Sequence, residues 1–470
     1  MKIKPEYLVL LLFFVAAFIV KLYFLTRDPL LYGVDAGYYY IHVNEILATG
    51  FPDLGFTPPL IFYYLSIFAF IFKDTMLGIK IGITLVSAAM VFPFYFVLLH
   101  LSKNEKIALL GAFLGVFSYA NVKIAEDLLK NTGGLFFGLF FIYFFLKAFD
   151  EKKKKDLLLA GVSFLLMLAT HFSSTAYIVV SVFPFLVLFP IFDLIQTKKL
   201  TGEAKISLAI ALLIVICASI LIIIEPGLIT DEGIGTLGIQ HLRPGQNLIN
   251  FSIFQNYSFS LLFIIPGLLS LYQSNKKHLI LFVSWLIMSF LLMQPVFVEQ
   301  HWLFRFELMA YLAIIPLLAL GAGYFAKNSI LFYLCAAILC GFTLYFFYNT
   351  AMHTGPLITD SEWQGLLQLK DSVPANATFG GAFGGVGYWI EAAGLSISND
   401  QNATYLIIQK DRNNVQIPSV YVAQFGRFFV ITNQMNRPNQ PNRPPDKCGD
   451  GVCDPFEKKN EFVCPKDCPR

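Results

Sequence analysis

The chain has 470 residues, of which 56% are hydrophobic, 16% aromatic and only 14% charged, with 34 basic against 31 acidic side chains. Average soluble proteins carry about 25% charged residues, so an ordinary soluble globular enzyme is excluded, and near-average Gly and Pro exclude disorder and collagen-like repetition. A net charge of +3 with no basic stripe interleaved with stacking aromatics excludes nucleic acid as a partner.

A helix needs about 20 apolar residues to cross a hydrocarbon layer of roughly 30 Å, because lipid offers no partner to a bare backbone amide. Such stretches lie near 6–25, 78–101, 107–123, 132–149, 157–171, 172–195, 206–225, 256–273, 278–297, 306–325 and 330–350. They predict an all-α polytopic membrane protein with about eleven transmembrane helices. The first is too long for a signal-peptide core and no small-residue cleavage site follows it, so it is expected to be retained. The run from Pro58 to Phe72, PPLIFYYLSIFAFIF, is too short for a normal span. If it does not cross and the N-terminus is cytoplasmic, Lys103/Lys106, Lys152–Lys155, Lys198/Lys199, Lys276/Lys277 and Lys327 all fall in cytoplasmic loops; if it crosses, all fall outside. The first arrangement obeys the positive-inside rule, so this run is expected to be an outer-surface or re-entrant helix. The whole is then a multi-pass protein of the plasma membrane.

Parity sends the chain beyond about residue 350 to the outer face. A transmembrane catalytic domain over 1–350 is expected to be followed by a small α/β extracytoplasmic domain over 351–432, with sequons at Asn376 and Asn402. A Pro/Asn-rich linker over 433–446 and a Cys-rich module over 447–470 complete it. Cys217, Cys335 and Cys340 fall in apolar helices and read as small hydrophobes. Cys448, Cys453, Cys464 and Cys468 lie on the oxidising side in a piece too small for a core, which points to two disulfides; the interspersed Asp450, Asp454, Glu457 and Asp467 leave a structural Ca²⁺ site as the other reading.

Charges opposite the lysine loops single out candidate site residues, because charge beside lipid is expensive. In chain order these are Asp35, His42 and Glu45 in GVDAGYYYIHVNEILATGFPD; Glu126, Asp127 and Lys130 in AEDLLKN; Asp231, Glu232, His241 and Arg243 in the loop before the eighth span; and Glu299, His301 and Arg305 around HWLFRFELMAYLAIIP. His171 sits between two spans beside three hydroxyl side chains, as a candidate substrate contact. Carboxylates from separate loops suit a hard divalent cation such as Mg²⁺ or Mn²⁺, with Asp35, Glu126, Asp127 and in addition Glu232 as ligands. Arg305, with His301 beside it, offers the donors that grip phosphate oxygens. A membrane enzyme acting on a phosphate-bearing lipid follows, with the bilayer itself as a partner.

These motifs resemble those of the GT-C superfamily of membrane glycosyltransferases, and more narrowly the catalytic subunit of archaeal single-subunit oligosaccharyltransferase. The first outer loop is similar to that family's Asp followed by paired aromatics and an amphipathic helix, which implies a catalytic and metal-binding role for Asp35. AEDLLKN stands at the second acidic motif, RFELMAYLAIIPLLALGAGY resembles the helix whose Arg contacts the donor phosphates, and Glu232 falls where the family has a mobile Glu. Near the C-terminus AFGGVGYWI, Ala382 to Ile390, occupies the place of the WWDYG acceptor motif without its Trp-Trp-Asp. The resemblance implies transfer of a sugar or oligosaccharide from a polyprenyl phosphate or diphosphate donor to a protein or glycan acceptor. Three other readings stand beside oligosaccharyl transfer. One is a dolichyl-phosphate-sugar transferase extending a lipid-linked or surface glycan, and the others are a transporter and an inactive scaffold.

Overall fold

In a computed structural model the apolar runs fold as helices; the structure describes residues 4–55, 57–224, 258–326, 328–381, 384–398, 402–409 and 422–433. Helix α1 (Pro5–Leu25) opens on a proline, whose missing N–H costs nothing in a first turn. Then come α2 (Ala36–Thr49), α3 (Leu60–Phe72), α4 (Thr75–Ala89), α5 (Val91–Ser102), α6 (Glu105–Val116), α7 (Tyr119–Asp127) and α8 (Leu129–Glu151). Helices α9 (Lys154–Thr170), α10 (Phe172–Thr197) and α11 (Gly202–Ile224) follow. A 3₁₀ turn (Ser258–Phe263) then leads into α12 (Ile264–Ser274), α13 (Lys276–Leu292), α14 (Gln300–Met309), α15 (Tyr311–Tyr324), α16 (Ser329–His353), α17 (Asp360–Ser372) and α18 (Gly385–Ala392). Helices α5, α8 and α10 each stop on a lysine in the left-handed region, Lys103, Lys152 and Lys198, with φ of 52°, 55° and 57°. A cation there faces the negative end of the helix dipole, which offsets part of the strain of a non-glycine residue at positive φ.

Helical structure stands at each of the eleven positions expected to cross, but the expected number of spans is not reached on length and apolarity. Among the described residues six stretches qualify: Pro5–Leu25, Thr75–Ser102, Leu129–Glu151, Phe172–Thr197, Trp302–Tyr324 and Ser329–His353. A seventh is α6 with α7, if the 42° bend between them counts as one broken span. The shortfall has a physical reason in α9 and α13, 17-residue helices that rise only about 25 Å and spend their first turns on Lys154, Lys155 and Asp156 or on Lys276, Lys277 and His278. Helix α3, with 13 residues, rises about 20 Å and is likewise short of a bilayer.

The helices meet through glycines, as expected where lipid removes any hydrophobic drive to associate and close approach must supply the attraction. At Gly78 on α4 a Cβ would stand 2.4 Å from the Ala69 backbone on α3, and at Gly321 on α15 it would stand 2.0 Å from the Phe263 carbonyl oxygen. Helix α15 is buried from Tyr311 to Ala322. Leu8, Leu12, Ile19 and Tyr23 remain exposed on α1, an apolar outer face of the kind a bilayer covers.

The chain forms two compact units, one of Met1–Leu367 with Phe383–Gly394 and one of Gln368–Ala382 with Leu395–Arg470. In the second, β1 (Thr378–Gly380), β2 (Ser396–Ile397), β3 (Tyr405–Gln409), β4 (Ala423–Phe425) and β5 (Phe428–Thr432) make a sheet in the order β2-β1-β3-β5-β4. β1 pairs parallel with β2 and β3, whereas β3, β5 and β4 run antiparallel, with Ile407 opposite Val430. The β-branched and aromatic content of YLIIQ and FFVIT suits a half-buried pleat. The linker and the four cysteines of the expected terminal module, with the Ca²⁺ alternative, lie outside the described residues. Cys335 and Cys340 are free thiols within α16.

Candidate active site

Asp35 stands at the N-cap of α2, where an aspartate usually accepts from its own helix. Here the side chain makes no capping bond; Oδ2 instead lies 3.8 Å from Nη2 of Arg305 on α14, with both side chains about one-quarter exposed. Arg305 also lies over the Trp302 ring, 4.7 Å from its centroid, so its guanidinium is held between an aromatic face and a carboxylate. The i, i+3 spacing of Trp302 and Arg305 on one helix face makes that contact, a signal legible in the sequence but absent from the expected site. Burial pushes the Asp35 carboxyl above the usual aspartate range; Arg305 and then Lys130 oppose the shift, and Asp127 adds to it.

The two adjacent acids of the second motif diverge. Asp127 pairs with Lys123 at 2.7 Å, one turn back on α7, and its charge is felt at Asp35. Glu126 is buried: Oε1 accepts from the Thr354 hydroxyl at 2.7 Å, and Oε2 has no partner among the described residues. It lines a small pocket with Lys21, Ser87 and Thr84. Lys21 donates there to Ser87 Oγ at 2.7 Å and to the Asn121 side-chain oxygen, a buried polar knot announced only by one lysine in an apolar helix.

The loop before α2 reaches this motif because residue 33 is glycine. At φ +92°, a Cβ there would stand 2.4 Å from the Glu126 carbonyl oxygen and 2.7 Å from Asp127 Cα. The three tyrosines that follow anchor α2 in three directions. Tyr38 packs against His42, Phe62 and Tyr388, with Lys130 Nζ 4.9 Å from its ring centroid; Tyr39 is buried and its hydroxyl accepts from the Lys130 backbone N–H at 3.0 Å; Tyr40 meets Trp363 edge-on. The GYWI segment folds as α18 against α2. At Gly37 a Cβ would meet the backbone of Tyr388 at 2.7 Å, and at Gly385 it would meet the Val34 carbonyl oxygen at 1.9 Å. The place expected for an acceptor motif is thus packed beside Asp35.

His171 is buried at the junction of α9 and α10, where its Nδ1 accepts from the Ser174 N–H at 3.3 Å, and it feels the positive charges of Lys130 and Arg305. His42 and Glu45 pair with one another at 2.6 Å. His301 lies within α14 but its side chain is outside the described residues, as is the whole of Glu232. Asp35, Glu126 and Asp127 are not gathered as ligands of one ion: the first faces Arg305, the third faces Lys123, and the second turns inward to Thr354. The expected cation therefore finds no assembled three-carboxylate cradle among the described residues.

No curated protein matches the chain. Residues 57–223 match the family described as dolichyl-phosphate-mannose-protein mannosyltransferase. Among solved structures, the Archaeoglobus fulgidus oligosaccharyltransferase in its apo form is similar over 86% of this chain and 70% of its own, at 13% identity and a TM-score of 0.61. The same protein in complex with Zn and sulfate gives 14% identity, 85% and 68% coverage and a TM-score of 0.58. ArnT from Cupriavidus metallidurans, bound to undecaprenyl phosphate, is similar over 90% of this chain and 97% of its own, at 11% identity and a TM-score of 0.60. The chain has the GT-C fold that its loop motifs led one to expect, and its match to the mannosyltransferase family is confined to residues 57–223.

Proposed function

We propose that the chain is a membrane glycosyltransferase that moves a sugar from a polyprenyl monophosphate donor to a hydroxyl acceptor at the end of the bundle holding Asp35 and Arg305. The observation that carries this is the Asp35–Arg305 pair, with Lys130 near enough to act on the same carboxylate. In the proposed reaction Asp35 takes the acceptor's proton while the acceptor oxygen bonds to the anomeric carbon. The bond from that carbon to the phosphate oxygen breaks, and its electron pair leaves with the phosphate. Arg305 grips the leaving phosphate by its two-pronged donor edge and Lys130 adds a second positive charge, so no step depends on a cation. Glu126 acts as a positioning residue, tying α7 to the end of α16 through Thr354, and buried His171 stands within electrostatic reach of Lys130 and Arg305.

Two further observations support this choice of donor: the family matched over 57–223 is described by a dolichyl-phosphate sugar, and one neighbour of similar fold was solved with undecaprenyl phosphate. Oligosaccharyl transfer from a diphosphate donor is the second reading, favoured by the packing of the GYWI segment against α2. In either case the lysine-rich loops face the cytoplasm and the reaction occurs on the outer face of the plasma membrane. The test is to offer purified protein in lipid discs a polyprenyl-phosphate hexose or a polyprenyl-diphosphate oligosaccharide, with sequon peptide or glycan as acceptor and with or without chelator. The proposal expects chelator-resistant turnover of the monophosphate donor. Turnover of the diphosphate donor alone, or an Asp35→Asn variant as active as wild type, overturns it.

A further inference from the structure

Far from Asp35, the last turn of α5, the last turn of α8 and the first turn of α13 bring together three side chains that the glycosyl-transfer chemistry does not use. Lys130 and Asp150 lie near opposite ends of α8, a rise of about 30 Å, so this cluster sits a bilayer's thickness from the candidate active site. Nε2 of His100 and Nε2 of His278 approach the same oxygen, Oδ2 of Asp150, at 2.7 and 2.8 Å. Both imidazoles are buried, the Asp150 side chain is 22% exposed, and one ligand atom from each residue lies within 4.8 Å of the other two.

We propose that His100, Asp150 and His278 form a binding site for a zinc-type transition-metal ion at the lysine-rich end of the bundle. Two imidazole nitrogens and one carboxylate oxygen are the donor set that favours Zn²⁺ and its neighbours over Mg²⁺ or Ca²⁺, which want oxygen alone. Bonds of about 2.0–2.2 Å in a tetrahedral array separate ligand atoms by about 3.3 Å, so each imidazole need retreat only about half an ångström from Asp150 to admit the ion. The exposed edge of Asp150 leaves a fourth position for water. Without an ion, two ring nitrogens compete for one carboxylate oxygen and the buried Nδ1 of His278 has no hydrogen-bond partner among the described residues.

The surrounding charge does not oppose a cation. Lys152 and Lys277 both pair with Glu203, and Lys153 with Glu151. Lys103 Nζ lies 3.5 Å from His100 Nδ1, but it is an exposed side chain on a turn and is free to withdraw. Asn275 Nδ2 lies 3.4 Å from His278 Nε2 and can retain its contacts at the helix start, where its side-chain oxygen caps α13. The bound ion would clamp three helix ends far apart in sequence, and by binding only the folded chain it would raise its stability.

The test uses the full chain, purified in lipid discs, stripped of metal and titrated with zinc alone. The expected result is one zinc per chain with sub-micromolar affinity, weakened at least 100-fold by His100→Ala or His278→Ala and unchanged by Asp35→Asn. Zinc should also raise the melting temperature of wild type but not of the histidine variants. Should those variants fail to fold, X-ray absorption at the zinc edge of wild type decides, the expected spectrum showing scattering from two imidazoles and no sulfur. Absence of stoichiometric binding below about 100 μM zinc, equal affinity in the histidine variants, or a sulfur-dominated spectrum overturns the site and leaves a purely hydrogen-bonded knot.

Discussion

Asp35 has forgone the stabilising role its position offers, capping α2, and is held half-buried opposite an arginine. As a base it must be ionised, and burial raises the pH at which that happens above the aspartate norm of about 3.9. Transfer rates measured against pH should therefore rise through a limb above that value. Asp35→Asn should lose at least about 100-fold in kcat at every pH. Arg305→Gln removes the stronger positive neighbour, so its acid limb should move to still higher pH while KM for the phosphate donor rises. The sign for stability runs the other way. A carboxyl whose pKa is raised on folding favours the folded state at low pH, and that contribution is lost as pH rises through the folded value. Melting curves should accordingly show Asp35→Asn gaining on wild type as the pH increases through that window. Glu126→Gln, which keeps an acceptor for Thr354, should cost about 10-fold or less, a smaller effect than Asp35→Asn.

At the scale of elements, glycines decide which helices touch and so where Asp35 stands. Gly33 combines φ +92° with a would-be Cβ 2.4 Å from a carbonyl oxygen that belongs to the second acidic motif. Gly33→Ala should destabilise by about 2 kcal/mol or more, because the backbone strain and the clash cannot both be relieved without moving α2 off α7. Transfer activity should fall with it, measured alongside thermal melting. Gly78→Ala meets backbone rather than a flexible side chain on α3, and should lower the melting temperature through loss of the α3–α4 contact. That contact also shows why the apolar run at Leu60–Phe72 need not cross alone: it is a 13-residue helix leaning on a longer one.

For the molecule as a whole, orientation is the testable quantity. Asp53 follows α2 on the Asp35 side and Lys153 follows α8 beside the zinc-type site, and both are exposed. In intact cells a membrane-impermeant thiol reagent should label Asp53→Cys above the unsubstituted chain and leave Lys153→Cys at its level; the opposite pattern inverts the topology. Lysine clustering that sets this expectation is visible at a glance in the sequence. The spatial counterpart is that Lys152 and Lys277, 125 positions apart, share one partner in Glu203.

Composition and apolar runs determined by themselves that this is a multi-pass helical chain, because crossing lipid dictates helix length and forbids bare amides. Loop motifs suggested the GT-C fold, because a few charged and aromatic residues beside lipid are too costly to keep without use. Tertiary structure alone decided that Glu126 rather than Asp127 turns inward, to Thr354, since adjacent helical residues point about 100° apart and only packing says which is inside. It alone joined His100, Asp150 and His278, whose separations of 50 and 128 residues form no sequence pattern. Proximity across a helix bundle is set by how side chains interlock over the full length of several helices, and spacing within one segment carries no record of it.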